Sequence, residues 1–85
     1  MTVPDYLTNA ARARFRAANR IAALGEDLGR PSEMPDGEEL WREGSDSVTL
    51  TPDGWLVWVS GGKAGAYGRR MWATPDAVSA IRGRG

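Results

Sequence analysis

Cysteine and histidine are both missing from this chain of 85 residues, and lysine occurs once, at Lys63. Without cysteine there is no disulfide framework and no thiolate nucleophile. Without histidine there is no side chain whose ordinary pKa lies near neutrality, and the ligands most zinc and iron sites use are gone. No apolar run is long enough to span a bilayer, and the first residues lack the basic-then-apolar layout of a signal peptide. The expectation is a cytoplasmic protein with no disulfide, no cofactor and no metal.

The remaining routes to chemistry also fail on spacing. Counted from Ser32, Gly37 and Glu43 fall at the sixth and twelfth positions of an EF-hand-like loop. Ser32 and Met34 then occupy the first and third, where early oxygen ligands belong. Gly61-Gly62-Lys63 lacks the upstream glycine and the following Ser or Thr of a phosphate-binding loop, and it joins two strands rather than opening a helix. Ser60 and Lys63 as nucleophile and base have no supporting motif. The expectation is a protein that is not an enzyme and works by binding.

What is present is an ordinary globular composition, 41% hydrophobic and 26% charged. Residues 1–85 are read as a single small α+β domain, one that buries only about 60–65% of its unfolded surface. Four tryptophans in so short a chain serve either to stiffen a thin core or to supply an interface. The formal net charge is zero, but carboxylates crowd the middle of the chain and arginines its two ends. Either the middle folds back against the ends, or the surface is dipolar and steers a partner.

The first element is a helix over about 4–28, opened by Thr2, Pro4 and Asp5 and stopped by Gly29 and Pro31. At about 100° per residue, Leu7, Ala10, Ala11, Ala17, Ala18, Ile21, Leu24 and Leu28 share one apolar face, and Asn9, Arg12, Arg16, Asn19 and Arg20 the other. Arg14 falls inside the apolar arc. It either snorkels past small alanines or pairs with a carboxylate from the acidic middle. Residues 29–46 read as a linker, with 39–43 open between a helical turn and a short fourth strand, pinned to the core by Leu40 and Trp41.

From Ser47 the period changes to two, giving a three-stranded antiparallel meander over 47–73. Thr51-Pro52-Asp53-Gly54 joins its first two strands: Pro presets φ, Asp caps the turn and Gly takes a positive φ. A three-residue loop with a glycine bulge sets Thr51 against Trp55 and puts Val48, Leu50, Leu56 and Trp58 on one side. A two-residue loop puts Val48, Trp55, Val57 and Val59 together instead. The position of Gly54 favours the first. Trp55-Leu56-Val57-Trp58-Val59 is apolar on both sides, as in a central strand covered on both faces. A Gly-rich loop, 61–68, leads to the third strand, and Thr74-Pro75-Asp76 opens a short helix over 75–82.

Two binding readings follow. In the first, the chain is a protein-binding module whose patch comprises Trp55, Trp58, Tyr67, Arg70 and Trp72, residue types enriched at interface hot spots. A second copy covering that patch, a homodimer, belongs with this reading. In size and layout alone the chain is similar to phage and mobile-element accessory proteins, which include inhibitors that occlude a partner protein. In the second reading Lys63, Tyr67, Arg69 and Arg70, with Arg12, Arg16 and Arg20 one helical turn apart, grip nucleic acid through phosphates and base stacking. Zero net charge and the lack of a nucleic-acid motif weigh against it.

Overall fold

The computed structural model describes residues 5–30, 35–61 and 67–83. Helix α1 (Asp5–Leu24) is followed by five strands, β1 (Glu26–Gly29), β2 (Glu38–Glu43), β3 (Asp46–Leu50), β4 (Trp55–Ser60) and β5 (Tyr67–Trp72), and then by helix α2 (Pro75–Arg82). The strands form one antiparallel sheet in the order β1-β5-β4-β3-β2. Both helices lie on one face, so the α+β class, the central meander and the C-terminal helix agree with the sequence reading.

The strand count does not agree: the described residues form five, not three or four. The expected helix over 4–28 ends at Leu24, and its last residues become β1. Gly25 causes the break. Its N–H still bonds the Ile21 carbonyl at 2.8 Å, but a Cβ there would stand 2.5 Å from that oxygen and 2.9 Å from the carbonyl oxygen of Arg70. Only a glycine lets the chain pass this close to β5 and turn into the sheet. Glu26 and Asp27 then pair with Arg70 and Arg69. The expected cap at Thr2 and Pro4 lies outside the described residues.

The supposed linker over 29–46 contains β2, and β2 carries a bulge between Glu39 and Trp41. The bulge inserts one residue and so lets Leu40 and Trp41, adjacent in sequence, both reach the core. The Pro-Asp-Gly turn takes the bulged register. Leu50 faces Leu56 and Val48 faces Trp58, Gly54 has φ +92°, and Val48, Leu50, Leu56 and Trp58 all point toward the helices.

The core lies between sheet and helices: Ala18 and Ile21 from α1, Leu40, Trp41, Val48 and Leu56 from the sheet, and Ile81 from α2. Helix α1 crosses this face from β2, where Phe15 meets Trp41 at 6.2 Å, to β5 beside Gly25. Three strand spacings are roughly 14 Å. Residues 14–25 advance roughly 16 Å at the helical rise, so they cover that span and the turns before them run past the β2 edge. Ala10 and Ala11, expected on the buried face, are therefore exposed, and so is Leu24 at the other end.

The opposite face of the sheet carries Ser47, Thr49, Val57 and Val59, all buried, with Trp55 and Arg70 half-buried. No helix covers it. The chain from β1 to β2 joins the two edges of the sheet, and Pro35 near its end lines a 240 Å³ cleft with Leu28, Trp55, Val57, Val59 and Arg70. β4 is thus buried on both sides, in line with its doubly apolar sequence.

Candidate functional site

The alternation of β4 and β5 divides the expected patch between the two faces of the sheet. Trp58 and Tyr67 turn toward the helix side, with their rings edge to face at 6.1 Å. Arg69 joins them: its Nε donates to the Tyr67 hydroxyl at 2.9 Å and its Nη1 to the Gly25 carbonyl at 2.8 Å. Arg69 thus ties the turn after α1 to β5. The Trp58 indole nitrogen is buried and has no hydrogen-bond partner among the described residues.

Trp55, Arg70 and Trp72 meet on the other face. Trp55 and Trp72 stack with centroids 3.9 Å apart and planes 17° from parallel. The Arg70 guanidinium carbon lies 4.0 Å over the Trp55 ring. Two groups that close cannot share one side of a ring, so Trp55 is held between Arg70 and Trp72. The stack is extended by Glu26, whose carboxylate is 3.4 Å from Arg70 Nη2. Aromatic stacking and a cation over an indole are each favourable by about 0.5–1.5 kcal/mol, and together they fix ring positions.

Trp72 is nevertheless 62% exposed. β1 pairs only as far as Arg70, so past that point β5 is the edge of the sheet and Trp72 stands on its rim. From there it also borders a groove of about 580 Å³ on the helix side. The groove runs between α1 and α2. Ala17, Ile21, Met71, Ala77, Ala80 and Ile81 make it apolar, Arg16 and Arg20 line its α1 lip, and Thr74 and Asp76 its α2 lip. The groove sits on a fixed frame. Thr74 caps α2 by accepting from the Ala77 N–H at 3.2 Å, and Arg14 ties α1 to the end of α2 through the Ile81 carbonyl at 2.7 Å.

No protein-family model, curated protein or solved structure matches the chain.

Among the described residues Arg14 has no carboxylate partner, one of the two alternatives the sequence had left open. Its Nη2 donates instead to the Leu40 carbonyl at 2.8 Å, beside the bond to Ile81. Of the nucleic-acid set, Arg69 is engaged by backbone and Tyr67, and Arg70 is laid over Trp55, so neither guanidinium is free to follow a phosphate chain. Lys63 lies outside the described residues. Arg12, Arg16 and Arg20 are exposed and have no acidic partner among the described residues. Sequence reading missed the α2 wall of the groove, Ala77 and Ala80. The signal for it was there in two alanine-bearing helices, but not their juxtaposition. Among the described residues no three carboxylates come together as a metal would require.

Proposed function

We propose that the chain is a non-catalytic protein-binding module that engages its partner through Trp72 and the groove beside it, and acts by occluding the partner's surface. The observation that carries this reading is the exposure of Trp72 while its ring is already fixed against Trp55. An indole at the surface is unfavourably hydrated, and one whose rotamer is set beforehand loses little entropy on binding. Trp and Arg around an apolar depression are the residues that carry most of the energy at protein interfaces. Trp58 and Tyr67 belong to the packing of the fold in this reading, and the contact set is Trp72, Trp55 and Arg70 with the groove.

Affinity capture on the immobilised chain from a cell lysate, with and without nuclease, tests this. A protein retained by the parent chain after nuclease treatment and lost on Trp72→Ala is the expected result. Retention that vanishes with nuclease, or that ignores Trp72, contradicts it.

A further inference from the structure

Five arginines are committed within the fold. Arg14 and Arg69 donate to backbone carbonyls, and Arg42, Arg70 and Arg82 face Glu39, Glu26 and Glu38. Arg12, Arg16 and Arg20 differ. They stand four residues apart on α1, so their side chains are neighbours of like charge, an arrangement that opposes helix formation. Among the described residues no carboxylate offsets them, although the chain has as many acidic as basic residues. Two of the three line the groove, and Leu24, 66% exposed, follows them one turn on.

The opposite lip carries the reverse sign at Asp76. The floor between is apolar and, at Ala17, Ala77 and Ala80, shallow enough for a backbone to come close. A volume of about 580 Å³ holds a few apolar side chains rather than one. An occupant that matches these features has apolar side chains on one face and carboxylates along the flank that meets α1.

We propose that the groove takes an acidic amphipathic segment of a partner protein, bound as a helix with its apolar side on Ala17, Met71, Ala77 and Ala80 and its carboxylates on Arg16 and Arg20. This rests on the reading of Trp72 and the groove as the binding surface. Recognition is of the helix-in-groove kind, with anchors at every third or fourth residue. The arginines select acidic partners and speed their arrival, and the floor and Trp72 hold them.

The test is selection of a displayed library of random 16-residue peptides on the full chain. Enriched peptides are then synthesised and titrated against the parent, Arg16→Glu/Arg20→Glu and Trp72→Ala. Circular dichroism and melting confirm that each variant is folded, and Arg16→Ala/Arg20→Ala replaces the charge reversal if that variant is not. The expected winners are net acidic, with apolar residues at helical spacing. They lose at least tenfold in affinity on charge reversal and also weaken on Trp72→Ala.

Winners that are neutral or basic, or indifferent to Arg16 and Arg20, overturn this inference. They leave the binding surface standing if they still need Trp72. Winners that need neither the arginines nor Trp72, or no enrichment at all, overturn both. A labelled 16-nucleotide strand and duplex are titrated alongside. Tight binding lost on the same charge reversal, with no acidic peptide bound, assigns the arginine row to nucleic acid and overturns the inference too.

Discussion

Arg14 sits inside the apolar side of α1 and gives its guanidinium to two carbonyls, one at the end of α2 and one at the β2 bulge. Hydrogen bonds from a charged donor contribute roughly 1.5–3 kcal/mol each, less where water can replace the donor. Arg14→Ala is therefore expected to cost about 2–3 kcal/mol, or roughly 10–15 °C in Tm for a chain this size. Arg14→Lys, whose ammonium reaches one carbonyl but not both, should recover about half in the same thermal melts. The tryptophans separate by face. Trp58 packs against the core, and Trp58→Ala should cost about 3 kcal/mol or more in denaturant unfolding. Trp72→Ala removes one stacking partner from a ring that keeps Arg70, and should cost about 1 kcal/mol. The reverse order of these two costs would mean that Trp72 belongs to the core.

At the scale of elements, the parts legible in the sequence are those fixed by local chemistry. Thr74-Pro75-Asp76 marks the start of α2 because cap, ring and charge act within one turn. Thr51 to Gly54 fixes a register because the glycine must take a positive φ. The strand Glu26–Gly29 has no such signal. Its residues have poor strand propensity, and it is a strand only because Gly25 brings it against Arg69 and Arg70. Its structure is set by tertiary contact, so no window of sequence shows it. The same limit applies to the site. Aromatic and basic residues after Gly54 were visible as candidates, but which of them share a face depends on strand parity, and the α2 wall of the groove depends on helix packing. Gly25→Ala is the test at this scale. The φ of Gly25 is not left-handed, so the penalty is steric, about 1–3 kcal/mol. Hydrogen exchange should show the loss first in the amides of β1 and its neighbour β5.

For the whole molecule, the acidic middle does fold back on the basic end. Glu26 meets Arg70 at 3.4 Å and Glu38 meets Arg82 at 2.6 Å, each joining an edge strand to a later element. Charged, short edge strands also discourage sheet-to-sheet association. No helix among the described residues is long and apolar enough to cross a membrane. Because the ion pairs are largely exposed, each contributes about 0–1 kcal/mol. Raising NaCl from 50 to 500 mM should therefore move Tm by only a few degrees. The same change should slow association with an acidic partner several-fold and leave dissociation nearly constant, since the apolar floor and Trp72 hold the complex. Stopped-flow kinetics separate the two rates. The most direct test of the account is calorimetric titration of the captured partner into the parent chain and into Trp72→Ala. A loss of at least tenfold in affinity, with the variant still melting within about 8 °C of the parent, is the predicted result. Equal affinities for the two chains would contradict the claim that this exposed indole is the point of contact.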